Sequence, residues 1–215
     1  MSAPDAAVAE LIAAHVAGRL PEPLAALAAA HVASSSPARR FAADLEGLAG
    51  RAVEAAEPIV PRDRDAAIAR ICACRRVEPT PEIPAAISGL EGLPAPLARW
   101  VARRGRVGRW RRLWFGIETR DLGGGDGWSC GLMRIAGGRR VPEHGHGGLE
   151  ATLVLSGGFA DAGAAFGPGD LRLCDETIEH APAADPEGCL CAFVAATPGF
   201  VPTHPLGRMW MRIFG

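Results

Sequence analysis

The segment GRRVPEHGHGGLEATLVLSG, residues 138–157, constrains this chain more than any other. Side chains alternate across an extended strand, so His144 and His146 project from one face. Glu150 can return to that face after the Gly147-Gly148 turn. A further imidazole, His180, follows the Pro168-Gly169-Asp170 turn and the stretch LRLCDETIEH. Three imidazoles and one carboxylate form a nitrogen and oxygen donor set for one divalent metal, suited to Zn, Fe, Mn or Ni. Each neutral imidazole then needs an acceptor behind it to fix its tautomer, and Glu143, Asp175 and Glu179 stand closest in sequence.

A lone His-x-His in a Gly-rich loop is often only two surface histidines, so the surroundings have to decide. From Trp110 onward glycine is frequent and apolar residues come in short runs. WRRLWFGIETRDL, WSCGLMRIA, ATLVLSGGF, DLRLCDE and CLCAFVAAT each read as a strand bounded by turn residues. Short strands at close spacing mean an antiparallel barrel or sandwich. Gly138, five residues, His144-x-His146, three residues, Glu150, six residues and Gly157 together resemble the first motif of the cupin barrels. The second motif is looser, because Asp175-Glu176-Thr177 stands where a Pro-x-Gly is usual before the last histidine.

The first third has a different composition. Residues 4–76 are rich in Ala, Leu, Glu and Arg, with glycine only at Gly18, Gly47 and Gly50, which favours helices. One is expected from Pro4-Asp5 to about Ala17 and a second from Pro23 to Val32. A third, with Ser36 as N-cap and Pro37 at the first helical position, should reach about Ala56. A fourth should run from Asp63 to about Arg76. Prolines 79, 81, 84, 94 and 96 then predict an extended connector. The expected fold class is α+β in two domains. A small helical bundle (1–76) and a Pro/Arg-rich linker (77–109) precede a cupin-type antiparallel β-barrel (110–215). The basic run of Arg103, Arg104, Arg106, Arg109, Arg111 and Arg112 reads as a solvated face or, bordering the linker, as a contact for the acidic surface of a partner.

Bulk numbers exclude some functions. The 23 basic and 24 acidic residues give a formal net charge of −1, which argues against nucleic-acid or anionic-membrane binding driven by overall charge. The N-terminus lacks a basic flank and carries Asp5 and Glu10, so no signal peptide is expected. No apolar stretch is long enough to span a bilayer. Six cysteines, bunched, are too few for a disulfide scaffold. A cytoplasmic protein with reduced thiols is the expectation.

Across most of its length the chain resembles the ChrR-type zinc anti-sigma factors. The resemblance rests on WRRL at 110–113, VPEHGHGG at 141–148, TLVLSGGF at 152–159, Gly169-Asp170, Asp175-Glu176 and Gly188-Cys189-Leu190-Cys191, with AGRLPEPLAALAAAH at 17–31 in the helical half. It implies a helical domain that sequesters an extracytoplasmic-function (ECF) sigma factor and a cupin-like domain that senses oxidative stress, singlet oxygen or organic peroxides. It also makes zinc the leading metal. The family's helical domain holds a second zinc through an early histidine and His-x3-Cys-x2-Cys. Here His31 keeps its place, but Ser35 and Ala38 stand at the cysteine positions and Ala6 near the early histidine. Neither a hydroxyl nor a methyl supplies a thiolate, so His31 is expected as a helix-face or core residue and one metal per chain is expected. Cys189 and Cys191 share a strand face and match a family cysteine pair. They are either a redox pair or two small core side chains. Cys174 lies close enough in sequence to approach the metal, and Cys72 and Cys74 read as structural. Two other functions stay open: a metal-dependent cupin oxidoreductase of dioxygenase type, and a non-catalytic ligand-binding cupin.

Overall fold

The computed structural model of the chain describes residues 5–59, 62–74, 92–105 and 107–203. The helix-forming first third gives α1 (Ala6–Val16), α2 (Glu22–Ser34), α3 (Ser36–Ala55) and α4 (Arg64–Ala73). Gly18 and Arg19 close α1 by donating their N–H groups to the carbonyls of His15 and Ala14, at 2.9 and 3.0 Å. Asp63 caps α4 by accepting from the Ala66 N–H at 2.8 Å. The cap of α3 falls one residue earlier than expected: Ser35 is the N-cap and Pro37 sits one step further into the first turn. No helix among the described residues is long and apolar enough to cross a membrane.

The expected connector, 77–109, needs correction over its last third. Ala95–Arg104 is a helix, α5, with Pro94 as its N-cap and Pro96 in its first turn. Prolines there start a helix, because the first turn has no use for their missing N–H. Leu97, Ala98, Trp100 and Val101 are buried where α5 packs on α2 and touches the sheet. The basic run is also not all solvated. Arg104 lies over the Trp100 ring, 4.8 Å from its centroid, and reaches Glu22 at 3.6 Å. Residues 75–91, which hold the end of the expected fourth helix and the start of the connector, Arg106, and the tail from His204 lie outside the described residues.

Among the described residues the C-terminal half carries nine strands: β1 (Trp110–Trp114), β2 (Ile117–Gly125), β3 (Trp128–Ile135), β4 (His144–His146), β5 (Glu150–Asp161), β6 (Ala164–Phe166), β7 (Leu171–Cys174), β8 (Ala183–Ala196) and β9 (Phe200–Pro202). WRRLWFGIETRDL, expected as one strand, is a hairpin. Trp114 pairs with Ile117 around Phe115-Gly116, and Gly116 has φ 78°. The main sheet runs β1-β2-β3-β8-β5-β6 with β7 also on β5, all antiparallel, and β4 pairs with β9. Side chains from eight of the nine strands line one cavity of about 270 Å³, the interior of the barrel.

Both faces of the sheet are apolar, which a free-standing antiparallel sheet does not need. On β3, β5 and β8, Cys130, Leu132, Ala151, Leu153, Ala192 and Val194 face out. They share one continuous core with Ile12, Leu24 and Leu27 of the helices and Trp100 of α5. The alternate residues Ile135, Val154, Cys189 and Cys191 face in, with Ile117 and Phe159. The helices therefore cover the outer face of the barrel.

Candidate metal centre

The metal-ligand candidates come together because the backbone joins their strands. An isolated bridge links His144 and His180, each N–H donating to the other's carbonyl at 3.0 and 2.9 Å. β5 begins at Glu150, four residues after His146. His144, His146, Glu150 and His180 thereby offer ligand atoms that all lie within 4.8 Å of one another, and the three histidines are buried.

Hydrogen bonding fixes which nitrogen His144 and His180 present. His144 Nδ1 is 2.8 Å from the Pro142 carbonyl, which can only accept, so Nδ1 carries the proton and Nε2 presents a lone pair. His180 Nδ1 is 2.9 Å from Asp161 Oδ2. Burial pushes the Asp161 carboxyl up, but hydrogen bonds from His180 and Arg172 outweigh it and hold the group below its ordinary range. An ionised carboxylate can only accept, so His180 Nε2 also turns inward. That Nε2 lies 3.1 Å from both His144 Nε2 and His146 Nε2. Burial lowers the His144 pKa to about 4, against an opposing hydrogen bond to Pro142, so that ring is neutral at pH 7. Lone pairs converging at this distance need a shared proton or a cation. One ion about 2.0–2.1 Å from each nitrogen sets its ligands about 3.0–3.4 Å apart, so the spacing fits a metal. Glu150 supplies the anion. Burial raises its pKa, and the His146 contact and the imidazoles bring it below the usual value. Its Oε2 stands 3.6 Å from His146 Nδ1, which is buried without a hydrogen bond.

The acceptors behind the rings are not the ones proximity suggested. Glu143, Asp175 and Glu179 are displaced by the Pro142 carbonyl and Asp161. Asp175 instead caps its own turn, accepting from the Thr177 N–H at 2.9 Å. Asp161 ends β5, 19 residues before His180, and Arg172 of β7 grips it at 3.0 Å. A lone acid closing an apolar strand is a faint signal in sequence. Phe200 of β9, stacked on His144 with centroids 4.3 Å apart, gave none. Cys174 does approach the site, but behind it, 3.8 Å from His180 Nδ1, and burial pushes its thiol up to about 12.

Cys189 and Cys191 share the inner face of β8, as i, i+2 spacing requires, and are only 4% and 3% exposed. Cys191 lines the cavity beside the candidate ligands His144, Glu150 and His180. Its hydrogen bond to Cys189 and its full burial push its pKa well up. Cys72 and Cys74, by contrast, are exposed at the end of α4, so a structural role for them does not hold.

The helical histidine has another partner. His31 is 5% exposed, and its Nδ1–H donates to the Gly169 carbonyl at 2.8 Å. Ser35 Oγ accepts from the Ala38 N–H at 3.5 Å, and Ala38 is buried in the core.

Comparisons with known proteins agree with this layout. The ChrR cupin-like domain family matches residues 104–198. The anti-sigma-E factor ChrR of Cereibacter sphaeroides is 35% identical over 196 residues, 87% of this chain and 86% of that protein. The crystal structure of Rhodobacter sphaeroides SigE in complex with the anti-sigma ChrR superposes with a TM-score of 0.69 at 32% identity, covering 87% of this chain and 96% of the matched one. With 35% identity extending over 87% of its length, the chain belongs to the ChrR family of anti-sigma factors.

Proposed function

We propose that this protein is a cytoplasmic anti-sigma factor. Its helical domain binds an ECF-type sigma factor, and its metal-bearing barrel governs release under oxidative stress. The observation that carries the reading is the apolar surface that α3 and α4 leave exposed among the described residues. α4 buries none of its side chains, and Leu48, Val53, Ile68 and Ile71 are exposed, Val53 by 75% and Ile71 by 72%. Exposed apolar residues on neighbouring helices mark a protein-binding face. The working division of the chain is a helical unit over 1–76 and a cupin unit over 110–215, with α5 bracing the two.

In the barrel, His144, His146, His180 and Glu150 hold one divalent ion, zinc first among the candidates. The metal ties three segments together, β4, β5 and the bridge at His180, and makes the site's integrity dependent on ligand chemistry. Oxidation at this centre, or at Cys189 and Cys191, is the proposed input. The test is capture of an ECF sigma factor by the purified full-length chain, followed by release on peroxide treatment. Leu48→Asp with Ile71→Asp should abolish capture while zinc content stays at about one per chain. Undiminished capture by that variant would remove the docking face from the proposal.

The cavity supports a second reading, a metal-dependent oxidoreductase acting on a small apolar substrate. It holds about 270 Å³ beside the ligands and is walled by Leu113, Met133, Ile135 and Phe159. Iron in place of zinc, with oxygen uptake on adding small phenols or carbonyl compounds, would favour it.

A further inference from the structure

The barrel and the helices meet at a buried polar contact that the metal reading leaves unused. His31, near the end of α2, donates to the carbonyl of Gly169, 138 residues away. Gly169 has φ +89°, and a Cβ there would come within 3.1 Å of the Ser34 carbonyl. The Pro168-Gly169-Asp170 turn thus sits directly on the last turn of α2. The same turn is tied into the barrel, since Gly169 N–H donates to Val154 O at 2.9 Å and Val154 N–H to Asp170 O at 3.0 Å. It leads straight into β7, where Arg172 holds Asp161 at 3.0 Å and Asp161 holds His180 Nδ1 at 2.9 Å. The run from Gly169 to Arg172 and three polar contacts therefore separate a proposed metal ligand from the helix.

We propose that His31 is a positioning residue joining helices and barrel, and that it transmits the metal-bound state of the barrel to α2 through Gly169, Arg172 and Asp161. The inference rests on the anti-sigma reading for its purpose, but not for its test. With Ser35 and Ala38 beside it and no thiolate, His31 has the Gly169 carbonyl as its partner. Metal binding orders His180, which orders Asp161 and β7 and so holds the turn that His31 grips. Loss of the metal slackens the turn and lets α2 move on the barrel.

The experiment is hydrogen exchange on the full-length chain, zinc-loaded and chelator-stripped, read over the amides of α2. In the wild type, zinc should slow exchange there about tenfold, within the usual range for coupled sites. His31→Leu should erase that difference while zinc stoichiometry and affinity stay unchanged. His31→Asn, which places an N–H donor near the Nδ1 position, should restore it, and a merely space-filling role would not predict that rescue. Should the Leu variant fail to fold, Gly169→Ala asks the same question by forcing the turn off Ser34 with His31 intact, and should give the same loss. Zinc-independent exchange in the wild type, or a full zinc response in either variant, overturns the proposal. Sigma-factor capture measured alongside separates the two readings: a zinc effect that needs His31, in a protein that captures no sigma factor, keeps the linkage and removes its proposed purpose.

Discussion

The chain contains two places where the ChrR family's sequence pattern calls for metal-binding histidines, and they have opposite fates. In the barrel, His180 Nε2 lies 3.1 Å from the Nε2 atoms of both His144 and His146, with the half-buried Glu150 carboxylate close by. Among the helices His31 is what remains of the pattern; Ser35 and Ala38 stand where its partners would be, and its ring bonds a backbone carbonyl of the barrel. A lone imidazole cannot hold a metal tightly, but it can satisfy one buried hydrogen bond. The comparison teaches that a histidine's role is set by its neighbours: among further donors an imidazole completes a candidate metal set, and beside a serine and an alanine it does not.

The sharpest way to break the comparison is to remove each histidine in turn. His144→Ala should lower bound zinc, measured by elemental mass spectrometry, from about one per chain to near zero, since structural sites need their four ligands. His31→Ala should leave zinc content unchanged. Two metals per chain in the wild type, falling to one in His31→Ala, would show that the helical site survives.

Acid should also separate the apoprotein from an ordinary globular chain. Burial lowers the His144 pKa from 6.5 to about 4, so the unfolded chain takes up a proton that the folded one refuses. Stability from this group is complete above pH 6.5 and falls as the pH drops toward about 4, by about 3 kcal/mol in total. His31, also lowered by burial, acts in the same direction. Urea midpoints of chelated protein at pH 7.5 and pH 5 measure the effect. The variant His144→Gln should show a shallower fall, and an equal fall in both would assign the loss to other groups.

Asp161→Asn probes the support behind the ligands. An amide can present its N–H to His180 Nδ1, which would disturb the tautomer and loosen the Arg172 grip. Outer partners of this kind typically matter 10–100-fold in metal affinity, so a competition titration with a chelator should show a drop in that range. Wild-type affinity in this variant would mean that the bridge to His144 alone orients the ring.

How far the sequence could be read depended on whether the signal was local. Ligand spacing, the i, i+2 pairing of His144 with His146 and of Cys189 with Cys191, and the caps at Asp63 and near Ser35 are all short-range, and each could be inferred. Asp161 could not, because its link to His180 spans 19 residues and depends on how β5 and β7 pair. α5 was misread for a related reason. Prolines 94 and 96 have two meanings, chain extension or helix start, and burial of Leu97 and Trp100 against α2 chooses the second. The outward apolar face of the sheet was visible as residues, but not that helices would cover it.

The smallest effect expected tests whether position 35 has been put to another use. Ser35 stands at a family cysteine position, and here its Oγ caps α3 at a long 3.5 Å. Replacing an N-cap serine by alanine usually costs about 0.5–2 kcal/mol, and this stretched bond should place Ser35→Ala near the low end. The measurement is a shift in urea midpoint with zinc content and slope unchanged. Ser35→Asp, with a stronger acceptor at the positive end of the helix, should recover or exceed wild-type stability. If Ser35→Ala instead lowered bound zinc, the serine would still belong to a metal site and the contrast between helices and barrel would fail.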